Sequence, residues 1–475
     1  MEPILLIAIP LVLAFLSILS KSMAKYILAG AALLNIIIAV TLRTGTYVIG
    51  GFKPPFGISL VVDDYSLYSV IFLNVLFTLT LLLAFSYAQK ISSILLVGLA
   101  ALNGMLLTGD LFNLFVFLEI ASIAAYLIVA STKRYVAVFN YLVIATVGSS
   151  LYLLGVVLLY AQYGTLNMAA MSKAMQSGGV VSSIPIIFIF IGLAVETKLV
   201  PMNGWVRAVL KDANPLTGPM IASVYAGVML MVFGRIMSDV LVLNDSLKLV
   251  FSIVALVTII AGEAAAFSGK KLREILLYSS VAQSGLAALL FINGIVAGAM
   301  LVVFGNVIVK FILFMIAGHM AASGTDDVEE LRGIFKENPL NGLAFTISGL
   351  SLIGLPMFFG FAAKMNVLVN LFKAGLWWMP IVILLASLVE GAYVVRMLVV
   401  LWNPGDEGQL AANAESSRLV YPIKRIVCIT TVLVSLCLLV LGFAPSQVVD
   451  KANKAAAGIE GNIGVTTITE EGGNH

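Results

Sequence analysis

About fourteen long apolar runs, joined by short polar links, constrain this chain more than any other feature of its sequence, because a helix needs roughly 20 apolar residues to cross a bilayer. In lipid, only helices and closed barrels satisfy all of their backbone hydrogen bonds. Of the 475 residues, 61% are hydrophobic and 11% are charged. A soluble domain carries roughly 25% charged residues. The sequence therefore predicts an all-α polytopic membrane protein.

The links between the predicted spans are too short to hold a soluble domain. The approximate limits of the spans are 3–20, 25–43, 66–88, 91–108, 111–131, 135–161, 183–211, 216–238, 248–268, 275–293, 295–321, 340–373, 378–402 and 422–443. The first run has no basic segment before it, which predicts an uncleaved span rather than a signal peptide. The link 44–65 contains a Gly-Gly and a Pro-Pro pair, which predict a short extended hairpin. The polar, glycine-rich tail from Ala444 is expected to be loosely ordered.

Charged side chains inside the spans are divided equally between the two signs. The basic ones are Lys198, Lys310, Lys364 and Arg396, and the acidic ones are Glu119, Glu196, Glu263 and Glu390. A charge at the bilayer centre costs roughly 2.5–3.5 kcal/mol on insertion scales, so such residues usually pair or mark an ion path. Equal numbers are expected if the charges pair, but the balance does not separate structural pairs from a proton relay.

The run 183–211 combines a lysine with a helix-breaking sequence. Glu196 and Lys198 lie at membrane depth, and Pro201 follows, then the pair Gly204 and Trp205. A proline removes a backbone donor and breaks the helix locally. Broken helices at membrane depth are tolerated only where protein buries them or where they line a wet cavity. Lysine plus break predicts a transport site, and a proline kink with a paired structural lysine is the alternative.

A second broken run, 340–373, has Pro356 and Gly360 before Lys364, about five spans after the first. Two interrupted segments in corresponding positions indicate an inverted-repeat transporter. A repeat of five spans must be inverted, since each span crosses the membrane once. We therefore expect N-terminal helices in 1–90, a first repeat in 91–240, a second repeat in 245–402, and a final helix with a polar tail in 403–475.

Spacing suggests how some of the buried charges pair. Glu119 has no partner nearby in its own span, and Lys198 is the natural candidate from another helix. Such a pair could switch with the protonation state of the lysine. Glu390 and Arg396 lie six residues apart and do not share a helical face, and we expect Arg396 to be structural. Glu196 and Lys198, two residues apart, would point away from one another, which leaves the role of Glu196 open.

Several of these stretches resemble the antiporter-like subunits shared by Mrp-type sodium/proton antiporters, respiratory complex I, and membrane-bound hydrogenase and sulfur reductase complexes. The similar segments, between about Asp110 and Trp402, are DLFNLFVFLEIASIAAYL, KLVPMNGWVRAVLKDANP, LREILLYSSVAQSG, NVIVKFILF, VEELRGIFKENPL and SLIGLPMFFGFAAK. The resemblance implies fourteen helices in two inverted five-helix repeats and a proton relay of Glu119, Lys198, Lys310 and Lys364. It also implies residence among other membrane subunits. Glu196, Asn306, Glu263, Glu390 and Arg396 are accessory candidates.

The chain departs from the family pattern at several relay positions. Gly227 stands where members often carry a lysine, and Asn306 replaces a histidine. Asn203 and Asn214 replace two further histidines. Asparagine can hydrogen-bond water but does not carry a proton at ordinary pH. Either water fills the gap between the two halves, or the relay is partly broken and the subunit is more structural.

The sequence carries no signal for enzymatic chemistry. It has no nucleophile–base pair, phosphate loop or cofactor motif, so any redox site of a host complex should lie on other chains. Two cysteines and two histidines make a metal site improbable. No basic patch is large enough to follow a nucleic acid. We expect no cofactor, no metal and no nucleic-acid partner.

Three functions remain open from the sequence. They are a proton-translocating subunit of an antiporter or redox-driven pump, a stand-alone solute transporter, and a degenerate structural subunit. One face of the predicted bundle has roughly twice as many lysines and arginines as the other, which predicts that this face is cytoplasmic and that both termini lie outside. The resemblance implies the plasma membrane of a prokaryote. The host complex, and whether Na⁺ passes through this chain, stay undetermined.

Overall fold

The computed structural model describes residues 2–52, 57–177, 182–321, 324–403 and 423–461. Within these residues the chain is almost entirely helical, with one two-stranded hairpin. Eleven of the described helices are long and apolar enough to cross a membrane. Three shorter apolar helices, Leu5–Leu19, Ser183–Glu196 and Pro339–Ile353, accompany them. The expected all-α polytopic architecture is confirmed.

The elements are numbered in chain order. They are α1 Leu5–Leu19, α2 Ala24–Thr41, β1 Gly45–Val48, β2 Ser59–Val62, α3 Asp64–Leu83, α4 Phe85–Leu107, α5 Leu111–Ala130, α6 Tyr135–Tyr163, α7 Met168–Ser177, α8 Ser183–Glu196, α9 Gly204–Leu210, α10 Thr217–Val240, α11 Asp245–Ser268, α12 Leu272–Ile292, α13 Val296–Met320, α14 Ile334–Glu337, α15 Pro339–Ile353, α16 Phe359–Lys373, α17 Trp378–Trp402, α18 Arg425–Phe443 and α19 Pro445–Gly461.

Each predicted span coincides with a helix or with a pair of half-helices. The two runs expected to be broken are α8 with α9, and α15 with α16. The hairpin expected in the link 44–65 is also present, since β1 pairs antiparallel with β2. The predicted link 403–421 lies outside the described residues except for Asn403, and so does the end of the tail after Gly461.

The centre of the bundle is formed by α10, α12 and α13, whose most apolar windows are 100%, 94% and 89% buried. The outer helix α18 is only 22% buried over the same length. A helix that is apolar on all sides belongs in the interior of a bundle or faces lipid. Burial therefore separates the three central helices, one of which carries Lys310, from the lipid-facing ones.

The first break lies between α8 and α9, and its backbone groups are satisfied inside the protein. Leu199 N donates to Ala194 O at 2.9 Å, and Val200 N donates to the Thr258 hydroxyl of α11 at 2.9 Å. The Trp205 indole N–H donates to Val195 O at 3.1 Å. Each contact replaces a helical bond that is lost near the end of α8. A non-helical segment can therefore remain buried at this depth.

The second break lies between α15 and α16. Gly354 adopts a left-handed backbone, with φ of 85°, and ends α15. Gly360 N donates to the Ser351 hydroxyl at 3.3 Å, which holds the start of α16 against α15. The Gly360 α-carbon packs so closely on the Ser351 carbonyl that a side chain would overlap it. The predicted pair Pro356 and Gly360 thus marks the break correctly.

Helix α18 presses against this second break through Gly442. A β-carbon at Gly442 would overlap the Met357 carbonyl oxygen and stand 2.6 Å from the Phe358 carbonyl carbon. Met357 also has a φ of 80°, which is strained for a residue other than glycine. Contact with α18 therefore helps to hold the break in its strained conformation.

We expect Gly442→Ala to destabilise the protein by about 1–3 kcal/mol, the usual effect of overpacking against rigid backbone. Gly458→Ala in α19 is the matched control, because nothing lies within 4 Å of the added methyl group. Thermal unfolding of the purified protein measures both. Equal unfolding temperatures for Gly442→Ala and the wild type would show that α18 does not hold the break.

The expectation of a loosely ordered tail is wrong for residues 445–461. These residues form α19, which buries Ala452, Ala455, Ala456 and Ile459 against the bundle. Lys454 Nζ lies 3.3 Å from Asp64 Oδ2 at the start of α3. The alanine-rich stretch favours a helix, and its apolar side becomes evident only once the surface that receives it is known.

Candidate functional site

Lys198 lies inside the first break and is 1% exposed. It has a φ of 67°, a conformation that costs a non-glycine residue about 1–3 kcal/mol. Its ammonium donates to the Ser280 hydroxyl of α12 at 2.8 Å. No carboxylate lies within ion-pair distance of Lys198 in the described part of the chain. A serine, not a carboxylate, therefore holds this lysine.

Lys310 lies mid-way along α13 and is 0% exposed. Its ammonium donates to the Ser279 hydroxyl at 2.7 Å. Ser279 and Ser280 are adjacent residues on α12, and their side chains project about 100° apart. A single turn of α12 therefore contacts Lys198 at the first break and Lys310 on α13. Lys198, Ser280, Ser279 and Lys310 together form a lysine–serine row through the most buried part of the bundle.

Ser280→Ala removes the hydrogen-bond partner of Lys198 that the structure describes. A buried donor without a partner costs about 1–3 kcal/mol, so we expect lower thermal stability and slower ion transport. Ser284→Ala is the matched control, since the Ser284 hydroxyl donates only to the Ser280 carbonyl of its own helix. Unchanged stability and transport in Ser280→Ala would show that this contact does not matter.

Lys364 begins the second group, on α16 one turn beyond the break. Its ammonium forms an ion pair with Glu390 Oε2 at 2.9 Å and also donates to Ser387 Oγ and Ile353 O, both at 2.9 Å. The other Glu390 oxygen accepts from the Gln283 amide at 2.8 Å. The predicted relay lysine on α16 is therefore held directly by α15 and α17, and α12 holds its carboxylate partner.

Glu263 on α11 connects the two groups electrostatically. Its carboxyl is 4% exposed, and Oε2 has no hydrogen-bond partner among the described residues. It interacts with the charges of Glu390, Lys310 and Lys364. The Glu390 carboxyl also acts on Lys310. The predicted accessory residues Glu263 and Glu390 thus lie between the lysine–serine row and Lys364.

Two small cavities are each lined by both Lys364 and Gln283. The first is lined by Glu263, Gln283, Lys364, Ser387 and Glu390 together with apolar residues of α11, α12 and α17. The second reaches Asn306 on α13, whose Oδ1 is buried without a partner among the described residues. Buried polar atoms of this kind are the usual ligands of internal water. The asparagine at the family's histidine position therefore faces a small cavity, largely apolar, that Gln283, Ser351 and Lys364 also line.

Glu119 does not pair with Lys198, and that expectation is wrong. Its side chain is half-buried and makes no ion pair within the described residues. The exposed positions of α5 are Phe112, Val116, Ile123 and Leu127, which follow helical spacing. Glu119 continues this stripe, so its carboxyl lies near the lateral surface of the bundle. The pairing failed because Glu119 lies on the exposed stripe of α5, whereas Lys198 reaches into the bundle to Ser280 of α12.

Glu196 is the last residue of α8 and is 3% exposed. It accepts a hydrogen bond from the Ser122 hydroxyl of α5 at 3.3 Å. Lys198 instead reaches Ser280 of α12, so the two side chains point to different helices, as expected. The chain leaves the helix at Thr197, so this divergence does not come from helical spacing.

The other candidates have identifiable surroundings. Arg396 is exposed and donates to Gly269 O at 3.1 Å, and its guanidinium also lies over the Phe267 ring, which fits the structural role expected for it. A β-carbon at Gly227 would stand 2.9 Å from both Leu73 and Val307, so the packing leaves no room there for the family's lysine.

The asparagines near the first break have backbone roles. Asn214 Oδ1 accepts from Leu216 N and Thr217 N and so supports the start of α10. Asn203 precedes the first residue of α9.

Sequence reasoning missed the polar residues that make these connections. Ser279, Ser280 and Gln283 are uncharged, and hydroxyl groups are common in membrane helices because they bond to their own backbone. The available signal was their density, since SSVAQS places four polar residues in six positions of an otherwise apolar run.

A buried ion pair at one end of the bundle was also missed, because Arg235 stands near the end of a predicted span, where a basic residue is usually solvated. Arg235 donates to both oxygens of Asp63 at 2.8 Å. Burial alone would raise the pKa of Asp63, but the Arg235 charge and the Ser66 hydrogen bonds outweigh it and hold that pKa below its usual value. The pair therefore stays charged at neutral pH and joins α3 to α10.

Comparisons with known proteins give consistent results. Residues 108–389 match the family described as NADH:quinone oxidoreductase/Mrp antiporter, TM. Subunit N of the NADH-quinone oxidoreductase of Desulforudis audaxviator (strain MP104C) is 33% identical over 434 residues, 83% of this chain and 85% of that protein. A subunit of the Na⁺/H⁺ antiporter of Alkalihalophilus pseudofirmus is 28% identical over 460 residues, 90% of each chain.

A solved structure agrees with these sequence relatives. A chain of the membrane-bound sulfane sulfur reductase, an archaeal respiratory membrane complex, has a TM-score of 0.86 and 29% identity, and the match covers 96% of this chain and 97% of that one. The resemblance that the motifs predicted is confirmed.

Proposed function

The chain belongs to the NADH:quinone oxidoreductase/Mrp antiporter membrane family, and we propose that it is a proton-translocating, antiporter-like subunit of a multisubunit ion-transport complex. Protons would cross the membrane centre along the lysine–serine row and continue through Glu263 and Glu390 to Lys364. The relatives named as subunits of an NADH-quinone oxidoreductase and of an Na⁺/H⁺ antiporter support membership in such a complex.

The row itself is the observation that carries the proposal. Lys198 and Lys310 are buried, and their ammonium groups rest on Ser280 and Ser279 rather than on carboxylates. A buried lysine bound to a carboxylate is held in its charged form, whereas one bound only to a hydroxyl group can exchange its proton more readily. A serine hydroxyl both donates and accepts hydrogen bonds, so each of these serines can pass a proton between its lysine and a neighbouring polar group.

The second half would end the pathway. Lys364 forms an ion pair with Glu390, while Glu263 has a carboxyl oxygen without a partner in the described residues. A proton leaving Lys310 changes the field at both carboxyl groups, and therefore the strength of the Lys364–Glu390 pair. Coupling of this kind links proton arrival at one lysine to proton release from the next.

The departures at Gly227 and Asn306 fit an intact pathway with different components. The neighbouring serines on α12 connect the halves without a lysine at Gly227. Asn306 would hold water in the cavity beside Lys364. Under this proposal hydroxyl groups and water replace the titratable side chains that the family often uses.

Glu119 supports a role within an assembly. A carboxylate at membrane depth is expensive unless it finds a partner, and Glu119 has no ion-pair partner in the described chain. Its position on the exposed stripe of α5 would let a neighbouring protein of the complex supply a cation. The charge of this lateral carboxylate would then couple one subunit of the complex to the next.

The same proposal includes the arrangement in the membrane. The first inverted repeat would cover residues 91–240 and the second 245–402, each with one broken helix and a lysine at or near its break. The excess of basic residues on one face would place that face in the cytoplasm of a prokaryotic cell, with both termini outside.

Lys310→Met tests the proposal, because methionine keeps the length of the side chain and removes the proton site. Since Lys310 has no ion-pair partner in the described chain, its loss strands no paired carboxylate. In vesicles containing the intact complex, we expect proton translocation to fall by about 100-fold. Lys336→Met, at an exposed lysine, is the control. Transport at the wild-type rate by an assembled Lys310→Met complex would make the chain a scaffold.

A further inference from the structure

Glu196 is a buried acid that the proposed relay has not yet used. Its carboxyl is 3% exposed and forms no ion pair in the described part of the chain. The Ser122 hydroxyl donates a hydrogen bond to it from α5. A buried carboxyl group without a charged partner is more stable in its neutral, protonated form than as a carboxylate. The position at the end of α8 places it beside the first break.

An aromatic cluster lies near this carboxyl group. Tyr126 and Tyr141 both interact with its charge, and their rings meet edge to face at 4.8 Å. Trp205 stacks on Tyr141 at 4.1 Å and also donates to the end of α8. Tyr225, which interacts with Tyr141, has a buried hydroxyl without a partner among the described residues. The cluster excludes bulk water while it offers hydroxyl groups around Glu196.

Glu196 also has a connection to the lateral surface. Ser122 follows Glu119 by three residues on α5, so the two side chains are neighbours on one face of the helix. The charges of Glu119 and Glu196 interact with one another. Ser122 therefore lies between a half-exposed carboxyl group and a fully buried one.

Lys198 follows Glu196 by two residues in the chain. Two peptide units separate the residues, so their α-carbons are at most about 7.6 Å apart. The segment that joins them is not helical, and its backbone bonds are already made to α8 and α11. The acid and the amine therefore share one rigid, buried break.

We propose that Glu196 is an intermediate proton carrier that connects Glu119 at the lateral surface to Lys198 at the head of the lysine–serine row. This inference rests on the proposed proton-translocating function. The Glu119 carboxyl gives its proton to the Ser122 oxygen while the Ser122 hydroxyl proton passes to Glu196 Oε1. Glu196 then gives one proton to the neutral Lys198 amine, which becomes an ammonium. No bond to carbon changes, and each group returns to its starting form when the proton moves on.

Glu196→Gln tests the proposal in the intact complex. Glutamine keeps the volume and an oxygen that accepts from Ser122, but it cannot carry a proton. We expect proton translocation in vesicles to fall by about 100-fold, the lower end of the range for loss of a positioned proton carrier. Glu196→Asp retains a carboxyl group and should recover part of the rate, which a purely structural role would not require. Glu274→Gln, in a surface ion pair with Arg207, is the matched control.

Infrared difference spectroscopy provides a second measurement. The complex should show a C=O stretching band of a neutral carboxylic acid that disappears in Glu196→Gln and shifts in Ser122→Ala. If Glu196→Gln fails to assemble, Ser122→Ala tests the same proton-transfer step. We expect Ser122→Ala to slow proton translocation.

The outcomes separate the two proposals. If Glu196→Gln transports at the wild-type rate while Lys198→Ala is inactive, the carrier role is overturned and the proposed function stands. If both variants transport at the wild-type rate, the proposed function fails as well. Loss of transport in Glu196→Gln, with partial recovery in Glu196→Asp, supports the carrier.

Discussion

Lys198→Ala is expected to abolish proton translocation by the assembled complex, with a fall of about 100-fold or more. The lysine lies within the first break at 1% exposure, and its ammonium reaches the Ser280 hydroxyl. Alanine removes the basic group at this point of the row. Proton flux into vesicles, measured with the amount of assembled complex, tests the expectation.

We expect Lys198→Ala to lower the stability of the protein much less than it lowers proton translocation. Lys198 has no carboxylate partner in the described chain, so its removal leaves no unpaired charge behind, and it also relieves the desolvation of a buried ammonium. Lys211→Ala provides the control, because Lys211 is an exposed lysine at the end of the adjoining α9. An equal loss of transport in both variants would point to a general defect rather than to a proton site.

Glu390→Ala is expected to have the largest effect on stability, with a loss of about 3 kcal/mol. Removing one partner of a buried ion pair typically costs about 3–5 kcal/mol, and the lower end applies because the Lys364 side chain is 15% exposed. The change leaves the Lys364 ammonium without its carboxylate and the Gln283 amide without its acceptor. Thermal unfolding and proton translocation are the measurements.

A double variant separates the charge from the packing in this pair. Lys364→Met with Glu390→Gln leaves no unpaired charge, so much of the lost stability should return while transport stays low. Glu337→Ala, at an exposed carboxylate without an ion pair in the described chain, is the control. A Glu390→Ala protein as stable as the wild type would show that the ion pair is not an important support for α16.

Local signals in the sequence are sufficient to predict the helices and their breaks. Long apolar runs define spans because the bilayer fixes their length. Pro201 and Pro356 interrupt helices because the missing backbone donor acts within its own segment. The interior positions of Lys198, Lys310 and Lys364 follow from the same runs, since the residues around each lysine are apolar.

The pairing of the buried charges could not be predicted in the same way. Which side chains meet depends on the rotation and packing of separate helices, and a set of charges along a sequence does not contain that information. Glu119 and Lys198 both lie mid-span, which suggests a pair, yet α5 directs Glu119 toward its exposed stripe. Lys198 instead meets an uncharged residue, Ser280, which a pairing of opposite charges does not include.

Helix α19 illustrates the same limit at the end of the chain. Its sequence is polar on average, and the small apolar face formed by Ala452, Ala455, Ala456 and Ile459 becomes a reason to fold only against α3, α13 and α16. Gly227 illustrates the converse. The sequence shows that the family's lysine is missing at position 227, but only the packing of Leu73 and Val307 shows that no lysine side chain fits there.

Lys198 and Lys310 are proposed to carry the same proton in series, and this is the central claim. It is tested most directly by measuring how many protons are translocated per turnover of the intact complex in vesicles. The variants to compare are Lys198→Ala, Lys310→Met and the double variant. Residues that act as one unit show strongly non-additive losses, so we predict that the double variant loses no more than either single variant. Wild-type output from the double variant, or two partial losses that add, would contradict the claim.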